Sequence, residues 1–98
     1  MADVYKALAD ETRRLILDEL AARDGQTLFE LCSLLISRHG VGSSRQAISQ
    51  HLAVLEAAGL VTVRWQGRSK LHYLRRAPLV GLTQRWLDPE RGPTCGST

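Results

Sequence analysis

The stretch SSRQAISQHLAVLEAAGLV, Ser43 to Val61, decides how the chain is read. At ~100° per residue, Leu52 and Leu55 fall within ~40° of Ile48 and His51 lies about 60° away, which predicts an amphipathic helix with one buried stripe. Ser43 is placed to cap this helix and Gly59 to end it. Its opposite side holds Gln46, Ser49, Gln50, Ala53 and Ala57. A helix facing solvent ordinarily carries Glu and Lys there. This one offers two amides, a hydroxyl and two methyl groups, and Glu56 is its only acid. So slim a face can enter a major groove, where Gln can bond bidentately to adenine and Ser to several base edges. The plainer alternative is a mildly polar face turned to solvent or to another protein.

Toward the N-terminus, Gly40 and Gly42 mark a turn over His39 to Ser43. Before it, a helix is predicted from Thr27 to about Ser37, with Leu28, Leu31, Cys32 and Leu35 on one face. Leu34 and Ile36 make this helix apolar on more than one side, so it should lie deep in the core or against a partner. Asp10 is placed to cap an earlier helix with Thr12, Ile16 and Leu20 on one face, widened by Leu17 and Ala21 and stopped at Asp24-Gly25. Val4 and Leu8 fit a short first helix. Helix, glycine-containing turn and helix together spell a helix-turn-helix, whose second helix contacts bases.

Beyond Gly59 the period changes from 3.6 to 2. Val61, Val63 and Trp65 alternate, Gln66-Gly67-Arg68-Ser69 forms a tip, and Leu71 and Tyr73 alternate on the return, a hairpin with a cationic tip. Trp65 and Tyr73 could stack on bases, but in a two-stranded wing they are expected to pack the hairpin onto the helices. Arg64, Arg68 and Lys70 make it a basic wing. Pro78 suits the start of a last short helix with Leu79, Leu82 and Trp86 on one face. The predicted fold is mainly α with a small β-hairpin, in the order α-α-α-α-β-β-α, a winged helix-turn-helix over 1–87 followed by a mobile tail over 88–98.

Composition narrows the function. Ninety-eight residues allow one domain and exclude a multi-domain enzyme. A monomer this small buries only somewhat more than ~60% of its unfolded surface, so pairing with a second copy would help it. Residues 43–86 hold seven cations against Glu56 alone, whereas residues 1–42 hold five against seven acids. A basic half on a nearly neutral chain is the footprint of a polyanion binder. No apolar run approaches the ~18 residues of a membrane span, and the first twenty residues are too charged for a signal peptide, so a cytoplasmic location is expected. Cys32 and Cys95 make no disulfide framework. Gly40-Val41-Gly42-Ser43-Ser44 lacks the third glycine and the lysine of nucleotide-binding loops, and no G-x-S-x-G elbow exists. The acids of the N-terminal helices fall at solvent-type positions. No catalytic set emerges and no cofactor is expected.

YKALADETRRLILDEL at 5–20, SRQAISQHLAVLEAAGLV at 44–61 and Gly67-Arg68 resemble the ArsR/SmtB family of bacterial winged-helix repressors, over roughly residues 4–87. The resemblance implies a homodimer that represses transcription by binding an inverted repeat in double-stranded promoter DNA. It implies that Gln46, Ser49 and Gln50 read bases and that Arg68 reaches phosphate or the minor groove. Ser44, Arg45, Arg64 and Lys70 would hold the DNA backbone, and Val4, Tyr5, Leu8, Leu79, Leu82 and Trp86 would lie near the dimer interface. Metal-sensing members carry a Cys-x-Cys pair where this chain has Cys32-Ser33-Leu34, and the other common site uses Asp and His on a last helix that has neither here. Cys32 and His39 stand about 10 Å apart along a helix at ~1.5 Å per residue and cannot chelate one ion alone. No metal site is therefore expected, and the chain resembles the metal-independent members, for which the resemblance names no effector. Two rivals stay open: a winged-helix module that binds protein rather than DNA, and a repressor in which Cys32 senses oxidants or thiophilic metals. His51, on the flank of the stripe, reads as a half-buried histidine that can orient the recognition helix.

Overall fold

The computed structural model of the chain describes residues 4–80. Leu82, Trp86, Cys95 and the 88–98 tail lie outside the described residues. Six elements follow in order: α1 (Val4–Leu8), α2 (Glu11–Ala22), α3 (Leu28–His39), α4 (Arg45–Ala57), β1 (Val61–Gln66) and β2 (Ser69–Leu74). Residues 77–80 begin a further helical turn.

Local chemistry sets the boundaries. Asp10 caps α2, its carboxylate accepting the Arg13 N–H at 3.1 Å. Thr27 and Glu30 close a reciprocal capping box at the start of α3, satisfying two N–H groups that the helix leaves open. α3 runs two residues beyond the expected end, so His39 belongs to the helix and Gly40, at φ 66°, closes it. The cap of α4 is Ser44 rather than Ser43. Both serines have the right hydroxyl, but Ser44 supplies the carbonyl for Ile48 N–H, and its side chain then accepts from Ala47 N–H at 3.1 Å.

The core lies where α1 to α4 meet the base of the hairpin: Ile16, Leu20, Leu31, Leu35, Ile48, Leu52, Leu55, Leu60 and Val61 are all buried. Burying each such side chain is worth roughly 1.5–3 kcal/mol. Two expected placements on the helices do not hold. Ala21 is exposed, and Glu19, an acid expected in solvent, is 5% exposed. It is tolerated because the two added residues of α3 bring His39 Nε2 to 2.9 Å from its carboxylate and Arg38 to 3.6 Å. α3 buries Leu31 and Leu35 but leaves Phe29 and Ile36 exposed, so it is only partly engulfed.

The hairpin turns on Gly67-Arg68 alone, with Gln66 paired to Ser69, instead of the expected four-residue tip. A two-residue turn pairs odd positions of β1 with even positions of β2, as in Val63 with His72 and Trp65 with Lys70. His72, not Leu71 or Tyr73, is therefore the buried residue of the return strand. His72 also bridges to Gln26, exchanging backbone hydrogen bonds of 2.8 and 3.3 Å, and its Nδ1 donates to the same Gln26 carbonyl at 2.9 Å. Gln26 in turn donates its amide to the carbonyls of Glu19 and Arg23, locking the hairpin base to the corner between α2 and α3. Trp65 shares the face of Val61 and Val63 but sits beyond the helices, 66% exposed, contrary to the expectation that it packs onto them.

Candidate nucleic-acid interface

α4 turns Ile48, Leu52 and Leu55 inward, which leaves Gln46, Ser49, Gln50, Ala53 and Ala57 exposed on its other side. Its orientation is held by a residue that periodicity does not reveal. Arg13 of α2 donates to the carbonyls of Ala7 at 2.7 Å and Lys6 at 3.2 Å, and to His51 Nδ1 at 3.2 Å. Guanidinium has no acceptor, so Nδ1 must accept, and α4 is tied to α1 and α2 through one cation. His51 thus takes the orienting role expected of it.

One open groove joins α4 to the wing. Arg45, Ser49 and Ala53 form one wall, Arg68 and Lys70 the other, and Leu28, Leu52 and His72 line the space between. Glu56 reaches it from the far end of α4. Arg45 is steadied by Phe29, whose ring lies 5.8 Å from its guanidinium carbon, so this exposed aromatic holds a cation at the groove edge. Ser44 does its capping work at the N-terminus of α4, where no first-turn acid opposes an approaching phosphate. Of the residues expected on DNA, Arg45, Ser49, Arg68 and Lys70 line this groove. Gln46 and Gln50 lie along the exposed side of α4. Arg64 is set apart: it points to the opposite hairpin face, 5.8 Å over the Tyr73 ring.

Val4, Leu8 and Leu79 of the expected dimer surface pack against the core edge, while Tyr5 is 46% exposed and Val80, beside Leu79, is 50% exposed. Burial pushes the Cys32 thiol above its ordinary pKa, with the Arg45 charge opposing more weakly, which favours the unreactive protonated form. Among the described residues, no three His, Cys, Asp or Glu side chains are grouped to hold a metal ion, and no helix is long and apolar enough to cross a membrane.

A family model described as a helix-turn-helix domain matches residues 8–64, from the end of α1 into the wing. The uncharacterized HTH-type transcriptional regulator YuzN of Bacillus subtilis is 46% identical over 87% of this chain and 92% of its own length. The arsenic resistance transcriptional regulator ArsR1 of Pseudomonas putida is 36% identical over 89% of this chain and 71% of its own. Among solved structures, an ArsR-like transcriptional regulator from Rhodococcus sp. RHA1 superposes with a TM-score of 0.72 at 36% identity, over 84% of this chain and 69% of the other. The homodimeric winged helix-turn-helix DNA-binding domain Mb0332 of Mycobacterium bovis gives 0.66 at 28% identity, over 84% and 72%. With a helix-turn-helix, a basic wing and these relatives, the chain belongs to the ArsR family of winged helix-turn-helix, DNA-binding transcriptional regulators.

Proposed function

We propose that the chain is a cytoplasmic repressor that binds an inverted-repeat operator in double-stranded DNA as a homodimer. The observation that carries this reading is the exposed, acid-poor side of α4 running into a groove walled by Arg45, Arg68 and Lys70. In it, Gln46, Ser49 and Gln50 read base edges, Arg68 leads the wing tip to phosphate or the minor groove, and Ser44, Arg45 and Lys70 hold the backbone. Arg64 contributes charge from the outer face of the wing. Dimerisation through α1 and the helix begun at 77–80 is supported by the half-buried apolar side chains there and by the homodimeric mycobacterial neighbour. The domain of 1–87 with a separate tail and the absence of enzymatic chemistry belong to the same reading.

Fluorescence anisotropy against the DNA immediately upstream of its own coding sequence tests it. A dimer placing several cations on phosphates should lose ~10³-fold or more in affinity between about 50 and 200 mM salt. An affinity nearly independent of salt, or no binding at all, refutes the reading. A reporter driven by the same DNA should be more active without the protein; lower activity would make it an activator.

A further inference from the structure

The wing carries an aromatic ring that the fold does not use. Trp65 is 66% exposed near the hairpin tip, although its partners in alternation, Val61 and Val63, lie on or near the core. Its cross-strand partner is Lys70, so the indole and this ammonium share one face, the face whose Lys70 opens onto the α4 groove. From Val61 to Leu74 the hairpin holds Arg64, Arg68 and Lys70 and no acid. A ring set among cations, not in an apolar patch, is poorly suited to another protein's hydrophobic surface and well suited to a polyanion with flat or apolar faces.

The geometry points to Trp65 as a DNA contact of the wing, its indole lying against the deoxyribose edge at the rim of the minor groove. This rests on the DNA-binding reading above. Trp65 precedes the turn residue Gly67 by two positions, roughly 6.6 Å of strand at 3.3 Å per residue. The minor groove is about 7.5 Å deep and about 6 Å wide. A hairpin that sends Arg68 to the groove floor therefore brings the ring behind it to the rim, where sugar carbons offer an apolar surface and neighbouring phosphates suit Lys70. The contact adds affinity without neutralising phosphate, and it is tolerant of sequence.

Binding of the full chain to a labelled mixed-sequence duplex, measured by anisotropy at several salt concentrations, tests this with Trp65→Ala, Trp65→Phe and Lys70→Ala. Trp65→Ala should weaken binding about tenfold with an unchanged salt slope, and Trp65→Phe should recover part of the loss. Lys70→Ala should lower the slope by about one. The difference in emission between wild type and Trp65→Phe isolates Trp65, which should become shielded from iodide in the saturated complex. Unchanged thermal melts are expected, since the ring is exposed. Wild-type affinity in Trp65→Ala, or a Trp65 still open to iodide, overturns the proposal while leaving the DNA-binding reading intact. So does a changed oligomeric state on sedimentation, which would assign the ring to a second copy, or equal protection by a single strand. Failure of the wild type to bind any duplex overturns both.

Discussion

At the scale of single residues, exposure along α4 follows directly from helical period, so the outward positions of Gln46, Ser49 and Gln50 are legible in the sequence. Gln50→Ala should relax preference at one base pair by about 1–3 kcal/mol, whereas Arg68→Ala should weaken all duplexes alike and reduce the salt slope by about one. Anisotropy against a set of single-base operator variants separates the two. A uniform loss from Gln50→Ala would remove it from the base readers. Arg13 was not legible in this way, because it bonds two backbone carbonyls and a histidine 38 positions away. Arg13→Ala should cost about 2 kcal/mol, since it deletes three charge-assisted hydrogen bonds in a partly buried setting. Urea titration should show a lower midpoint with an unchanged slope. The role of Phe29 is hidden in the sequence for a related reason: its partner Arg45 comes from the next helix.

At the scale of elements, the Asp10 cap is readable because its side chain lies three residues from the group it satisfies, whereas Ser43 and Ser44 carry the same hydroxyl and the register of α4 selects Ser44. Asp10 and Glu30 both have lowered pKa values, caused first by the backbone N–H groups of Arg13 and Thr27 that their carboxylates accept. A depressed folded-state pKa stabilises the fold above the ordinary carboxylate range near about 4 and loses that contribution as pH falls through the folded-state value. Thermal melts should therefore show an acid-side decline below about pH 4 that is shallower in Asp10→Ala. The same variant should lose about 1 kcal/mol at neutral pH. Glycines separate two kinds of cost. Gly25 and Gly40 both have positive φ, but a Cβ on Gly25 would also meet Tyr73 Oη at 3.2 Å, while Gly40 has open space. Gly25→Ala should destabilise more than Gly40→Ala, which should cost only about 1 kcal/mol, by urea denaturation. Equal losses would mean that Tyr73 moves aside freely. The expectation for the return strand failed at this scale because alternation identifies two faces without saying which is inner, and the two-residue turn settled it in favour of His72.

At the scale of the whole molecule, Arg45 of α4 is brought to the same groove as Arg68 and Lys70 of the wing, while Arg64 stands on the opposite hairpin face. For a dimer paired through α1 and the C-terminal helix, Tyr5→Glu should shift the protein toward monomer in sedimentation and weaken operator binding, because each subunit would hold only one half-site. Its far-UV circular dichroism should stay unchanged, Tyr5 being 46% exposed. A variant that remains dimeric would place the interface elsewhere.

The order of elements, the Asp10 cap, the buried stripe of α4 and the cationic wing were all legible in the linear chain. These depend on 3.6- and 2-residue periods and on hydrogen bonds between near neighbours, which are properties of contiguous chain. The burial of Glu19 against His39, the bracing of α4 by Arg13 through His51, the pinning of the hairpin by Gln26 through His72 and the position of Trp65 clear of the helices arise from packing. Each of these depends on where two separately folded elements come to rest against each other, and neither element's own pattern carries that distance.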